Sequence, residues 1–355
     1  MRKLLFLGLA TIVACSGAAP PGEISPPPGG AAGEDAGTGA SSPTSDAGGA
    51  PIGVGAQDAT APVAASDAGS GGPGIDSGGG AAPGDASSGA VPTIPKPTGT
   101  CPTIVAGDVT FAPAGISPRV VTLSMASTAP KAPGPLVFYW YATGSSVQEV
   151  LYSLGTTLGG IESAGGLVAA PHADPNAGQF EWYAASGNTK QDDFLVADEV
   201  VACLAQAGRI DVSHIHSMGM SAGALQTTAM SYARSAYLAS VTTYSGGIPS
   251  GLPAPAFEDP SNRFSALLFE GGTNDSAYGF DFQTATLNYR ASLQGAGHFA
   301  ALCDHGRGHM IPTDAAPSVW LFFQSNGFGT YPSPYANGLP STFPSYCTIA
   351  ADAGP

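Results

Sequence analysis

A serine hydroxyl, an imidazole and a carboxylate can together move a proton on and off an oxygen nucleophile, and this chain places one of each behind an apolar run. Residues 214–223 read His-Ile-His-Ser-Met-Gly-Met-Ser-Ala-Gly. An apolar stretch ends in Gly219-Met220-Ser221-Ala222-Gly223, and a helix-forming stretch follows at once. A Gly-x-Ser-x-Gly turn between strand and helix is so tight that only small residues fit around it, and its strain lifts the serine hydroxyl off the sheet edge. Ser221 is therefore the candidate nucleophile. Because 50 of the 355 residues are glycine, the pentapeptide alone could be a glycine-flanked loop serine; its surroundings decide.

A serine hydroxyl attacks only when a base takes its proton. An imidazole serves near neutral pH, and a carboxylate fixes its tautomer. Asp275 closes a Gly-Gly-Thr-Asn-Asp turn behind the apolar run 266–270. Its rival, Asp281, reads as a helix-start residue. His309 lies in Cys303-Asp304-His305-Gly306-Arg307-Gly308-His309, where the glycines suit a loop that carries an imidazole over a sheet edge. His305 is the competing base. Asp304, His305 and His309 could instead hold a metal, but no second ligand cluster accompanies them, so neither metal nor cofactor is expected. His214 and His216 precede the turn and read as satisfied core or edge residues; His172 and His298 read as loop residues. The chain order serine, aspartate, histidine is one that a catalytic triad can take. Two backbone N–H groups must face the developing oxyanion, and Ala222 and Thr143 are the candidates.

These residues need a scaffold. The run 136–141 is aromatic and β-branched, and reads as a buried parallel strand ending in a Gly loop. Further strands are expected at 167–170, 210–218, 240–244, 266–270 and 298–302. Helices are expected from Asp192, as N-cap, to about 207, and over 222–237, 281–295 and 315–325. Alternation of this kind implies an α/β fold with a mostly parallel sheet and helices on both faces. Thr143, Ser221, Asp275 and His309 all follow strands, and so share the carboxyl rim where such sheets bind ligands.

The chain opens Met1-Arg2-Lys3 and runs apolar from Leu4 to Ala14, a pattern of export too short to span a bilayer. Ile12-Val13-Ala14-Cys15 resembles a lipobox, which implies lipidation of Cys15 and stable anchoring; an ordinary signal peptide is the alternative. Ser16 after the cysteine favours the outer membrane or cell surface. Residues 16–100 hold Gly, Ala, Pro, Ser and Asp and almost no large apolar side chains. Such a segment cannot offset its ordering entropy and reads as a tether with a reach of about 50 Å. The α/β domain is then 101–355. Net charge is −15 overall; the leader contributes +2 and the tether −7, which leaves −10 on the domain. That balance argues against nucleic acid, and against any membrane contact other than the lipid anchor. Cys101, Cys203, Cys303 and Cys347 allow two disulfides in three pairings. Cys101–Cys347 would staple the domain ends.

The segments PLVFYWYATGSS, DDFLVADEVVACL, IHSMGMSAGALQT, TYSGG, LLFEGGTND and CDHGRGHMIP together resemble the α/β-hydrolase esterases related to polyhydroxybutyrate depolymerases and feruloyl or acetyl-xylan esterases. The resemblance spans most of 130–325. It implies Ser221 as nucleophile, Asp275 as acid, His309 as base and an ester substrate, small or polymeric. One departure stands out: relatives carry His-Gly after the first strand, where this chain has Tyr141-Ala142. A displaced donor there costs about 10²–10³ in rate, which keeps a non-catalytic surface binding protein in play beside the esterase. A peptidase of the same fold is a third reading. Trp182 and Tyr183 are candidates to line a pocket, or to pack in the core. Tyr331, Tyr335, Phe343 and Tyr346 either cover a groove or wrap the core.

Overall fold

The apolar run after Pro133 forms β3 (Gly134–Trp140), buried at six of its seven positions. It lies fourth in a nine-stranded sheet ordered β1-β2-β4-β3-β5-β6-β7-β10-β11. This computed structural model describes residues 90–349 except Ala129. Cys15 and nearly all of the expected tether lie outside the described residues.

The parallel centre comprises β4 (Leu167–Pro171), β3, β5 (Ile210–Met220), β6 (Ser240–Tyr244), β7 (Ser265–Glu270) and β10 (Phe299–Asp304). β4, β6 and β7 are buried at every position, so both sheet faces are covered. That double burial is why these strands read as continuous apolar runs rather than alternating ones. Six helices do the covering: α1 (Glu149–Leu154), α2 (Thr157–Ser163), α3 (Asp192–Gln206), α4 (Ala222–Ala233), α5 (Phe282–Gly295) and α6 (Ala316–Ser325). α4 is buried along almost its whole length; its Ala, Gly, Ser and Thr residues are small enough to let it press against the strands. Among the described residues, no helix is long and apolar enough to cross a membrane.

Every expected strand and helix forms within a few residues of its expected bounds, and the structure adds elements that local patterning did not reveal. β1 (Gly107–Phe111) and β2 (Arg119–Met125) extend one edge antiparallel, and β11 (Cys347–Ile349) closes the other. A separate hairpin, β8 (Ser276–Ala277) and β9 (Phe280–Asp281), follows Asp275 directly.

Three expectations are corrected. The domain begins before residue 101: Thr93 donates to Ala236 O (2.8 Å), and Glu199 on α3 accepts from Thr98 N (2.8 Å) and Gly99 N (2.9 Å). The α3 N-cap is Gln191, with no side-chain cap bond. Asp192 sits in the first turn beside Asp193, which accepts from Tyr183 N (2.8 Å). The disulfides are Cys101–Cys203 and Cys303–Cys347, not Cys101–Cys347. Cys303 and Cys347 are register partners across β10 and β11, and Glu199 draws the 98–101 segment onto α3 one turn from Cys203.

Candidate active site

β5 must stop and α4 start within one residue, and Ser221 absorbs the change at φ 55° and ψ −118°. That positive φ in a non-glycine residue is strain the surroundings must hold. They do so by bonding Ser221 N to Tyr244 O on β6 (2.9 Å) and by close packing. A Cβ at Gly219 would lie 2.5 Å from both Gly223 O and Trp140 O, and one at Gly223 would overlap Trp140 O. The two glycines of the motif thus let the start of α4 press against the end of β3.

Three sequence-distant side chains meet above this turn. His309 Nε2 is 2.8 Å from Ser221 Oγ, and His309 Nδ1 is 2.7 Å from Asp275 Oδ1. Asp275 is buried; its second oxygen accepts from Ser245 Oγ and from Gly271 N, both at 2.9 Å. Ser245, at the end of β6, has φ 54°. The Phe282 ring lies 4.5 Å from the imidazole. Ser221 and Asp275 are buried and His309 keeps partial exposure, so the bonded chain reaches solvent mainly at the imidazole and at the small cleft beside Ser221.

The rivals are placed elsewhere. Asp281 caps α5, accepting from Thr284 N (2.9 Å). His305 accepts from Arg307 N through Nδ1 (3.2 Å), and burial holds its pKa below the usual imidazole value. His214 pairs with Asp211 (2.8 Å), while His216 is buried against Phe323 and Ser240. His172 bonds Thr122 Oγ1 (3.0 Å) and His298 meets Phe264 O (3.0 Å).

Thr143 and Ala222 share one cleft with Ser221. Among the described residues, neither backbone N–H has a protein acceptor. On either side of Thr143 the loop is tied to carboxylates. Ala142 N donates to both Glu149 oxygens (3.1 and 3.3 Å), and Gly144 N to Glu181 Oε1 (2.9 Å). Glu149 also accepts from Tyr139 OH (2.9 Å), and burial raises its pKa against these hydrogen bonds. Tyr141, the departure from His-Gly, is buried; its hydroxyl accepts from Ala173 N (2.8 Å) and its carbonyl from Trp182 Nε1 (2.8 Å).

Trp182 and Tyr183 are core residues and do not line the cleft. Leu225, Phe180, Tyr278, Phe280 and Phe282 complete its walls. Phe180 meets Tyr278 and Phe280 edge to face at 5.6 and 5.8 Å. Sequence reasoning missed this aromatic wall; the short Phe-rich hairpin after Asp275 was its only local signal. In the tail, Tyr335 packs on Phe322 and Phe343 on Tyr335, wrapping the core, while Tyr331 stays exposed and Tyr346 bonds Asp314 (3.1 Å).

No protein-family model matches the sequence, and no curated protein matches it. Solved structures do resemble it. Native pOPH is 17% identical with a TM-score of 0.56, over 71% of this chain and 96% of its own. Native sOPH is 18% identical with a TM-score of 0.55, over 73% and 98%. A pOPH variant in complex with pNPB is 16% identical with a TM-score of 0.56, over 71% and 96%. At such identities the likeness speaks for architecture alone. Sheet order, the strained strand-to-helix turn and these matches agree: the chain has the α/β-hydrolase fold.

Proposed function

We propose that the chain is a serine hydrolase that cleaves carboxylic esters through an acyl-enzyme. The observation that carries this is the continuous bond path Ser221–His309–Asp275 at the carboxyl rim of the sheet. With the Nδ1 proton held by Asp275, His309 Nε2 is the acceptor facing Ser221 Oγ. The base takes the hydroxyl proton as the oxygen attacks the ester carbonyl. Negative charge on the carbonyl oxygen falls to the N–H groups of Thr143 and Ala222, which have no competing acceptor among the described residues. His309 then protonates the leaving alcohol. Water, deprotonated by the same imidazole, hydrolyses the acyl-enzyme and frees Ser221.

The walls of the cleft suit an apolar acyl or alcohol group, small or part of a polymer. A solved neighbour of the same fold was captured with pNPB, which agrees with an ester as the ligand class. Export and anchoring through Cys15 belong to this reading and place the enzyme on the cell envelope, at the outer membrane or cell surface. Two alternatives lose ground. A binding protein has no use for a complete triad, and the Tyr141-Ala142 change leaves a held loop rather than a collapsed one. A peptidase would need a path for chain on both sides of the nucleophile, while the described cleft is small and apolar.

The test is hydrolysis of p-nitrophenyl butyrate by the purified chain and by Ser221→Ala. Activity lost by at least about 10³-fold in the variant, with unchanged circular dichroism, is expected. Full activity in the variant removes Ser221 as nucleophile, and faster cleavage of peptides than of esters favours the peptidase.

A further inference from the structure

We infer that Glu149 and Glu181 are positioning residues for the oxyanion loop: two carboxylates that clamp the N–H groups on either side of Thr143 and leave the Thr143 N–H alone free for the substrate oxygen. The inference rests on the hydrolase reading above and extends it.

Hydrogen bonds at Tyr141 O, Ala142 N, Gly144 N and Ser145 N fix the backbone of residues 141–145. Trp182 Nε1 donates to Tyr141 O (2.8 Å). Ala142 N donates to Glu149 (3.1 Å). Ser145 N donates to Ala142 O (3.0 Å) and closes the turn. Gly144 N donates to Glu181 (2.9 Å). Thr143 N is the exception among the described residues of this set, and Thr143 lines the cleft that holds Ser221 and Ala222. Its N–H stands between two neighbours each bonded to an ionisable acceptor, the strongest class of hydrogen bond.

Both clamps are themselves anchored. Glu149 opens α1 and is held by Tyr139 OH on β3 (2.9 Å). Glu181 sits at φ 60°, a strained backbone for a non-glycine residue. Its segment is pinned from both ends: Arg119 bonds His172 O (3.0 Å), Asp174 (3.2 Å) and Asp193 (3.2 Å), and Asp193 in turn holds Tyr183 N (2.8 Å). A loop that lacks His-Gly is thus built into shape by side chains brought from positions 149 and 181. Neither carboxylate touches the reacting atoms, so each acts through where it puts Thr143.

A donor displaced from the transition-state oxygen lowers kcat, while the substrate in its ground state is held as before. The test measures kcat and KM for p-nitrophenyl butyrate in the full chain, with Glu149→Leu, Glu149→Gln, Glu181→Ala and Glu181→Gln. Inhibition by an alkyl trifluoromethyl ketone, whose adduct places an oxyanion in the same hole, is measured alongside. The Leu and Ala variants are expected to lose about 10- to 100-fold in kcat with KM within about twofold. The ketone inhibition constant should rise in step. The Gln variants keep an acceptor oxygen and should recover most of the loss. Butyrate ester binding to a Ser221→Ala background should be unaffected by the second substitution.

If Glu149→Leu does not fold, Glu181→Ala decides, because it lies outside every helix and strand. Folded variants with wild-type kcat and ketone inhibition, in a protein whose activity depends on Ser221, overturn the positioning role alone. A loss confined to KM, or a Gln variant as impaired as its apolar counterpart, also overturns it. An inert wild type overturns the hydrolase reading, and this inference with it.

Discussion

Gly271 and Gly308 touch backbone to backbone. Gly308 N donates to Gly271 O (2.8 Å), and a Cβ at Gly271 would overlap the Gly308 carbonyl oxygen. The contact joins the loop that carries the acid to the loop that carries the base. Gly271 N also donates to Asp275 (2.9 Å), so one glycine sets the position of both partners of the serine.

Gly271→Ala therefore separates a steric effect from a conformational one. Gly271 has φ −104°, which alanine adopts freely. The clash must move the His309 loop, and a shift on the order of 1 Å costs about 100-fold in rate. Gly306→Ala is the control: φ is +64°, with nothing near the added carbon. It should cost about 1 kcal/mol of stability and leave kcat within a few-fold. Urea midpoints and kcat for the two variants check this; equal activity in both refutes the coupling.

Under the esterase proposal the aromatic wall should set acyl preference. Phe180→Ala removes two edge-to-face partners, Tyr278 and Phe280. Phe180 also lines the cleft, and each methylene that loses burial there costs about 0.8 kcal/mol, so KM for a butyrate ester should rise about 4- to 15-fold, with acetate little changed. A uniform change across acyl lengths would place the acyl group elsewhere.

Stability should fall as pH drops from about 7 to 5, and His216 should contribute. Burial holds its pKa well below 6.5, with the charge of His214 adding to the effect and Asp211 opposing it. The unfolded imidazole takes a proton near 6.5, whereas the folded one stays neutral. Below about 6.5 the unfolded state holds more protons, so the contribution is complete above that pH and is lost on acidification. Glu149, Glu258 and Glu270 have carboxyls raised by burial and work in the opposite sense. Comparison of His216→Leu with wild type isolates the histidine: the variant should be less stable at pH 7 but lose less between pH 7 and 5. Parallel urea midpoints across that range would count against it.

Cys101 and Cys203 are 102 residues apart, and Cys303 and Cys347 are 44 apart. Loop closure gives about 4–5 kcal/mol of stabilisation for links of these lengths. Replacing Cys101 and Cys203 together by Ser should lower the urea midpoint markedly while KM stays unchanged, since the link lies away from the cleft. An unchanged midpoint shows that the Glu199 grip on Thr98 and Gly99 suffices.

Much of this site could be read from the chain because its signals are local. The Gly219–Gly223 spacing and the apolar runs ending at Trp140, Met220 and Glu270 mark strand ends, and strand ends of a parallel sheet share a rim. Asp281 read as a cap for the same reason. What stayed hidden depends on distant pairing. Glu149 and Glu181 look like ordinary surface acids until the fold brings them to Ala142 and Gly144. β1 and β2 are edge strands of mixed burial, without the continuous apolar run of the centre. Disulfide partners follow from the β10–β11 register and from Glu199 drawing in residues 98 and 99, neither of which spacing encodes. Phe180 and Phe280 belong to segments 100 residues apart, so no window contains the wall they build.

The most direct measurement is covalent labelling of the native chain with a fluorophosphonate, followed by mass spectrometry of the peptide that contains Ser221. A stoichiometric adduct on Ser221 is expected, with esterase activity lost in proportion and no adduct in Ser221→Ala or His309→Ala. A folded protein that takes no label at Ser221, or that keeps its activity when labelled there, contradicts the proposal that this hydroxyl is the nucleophile.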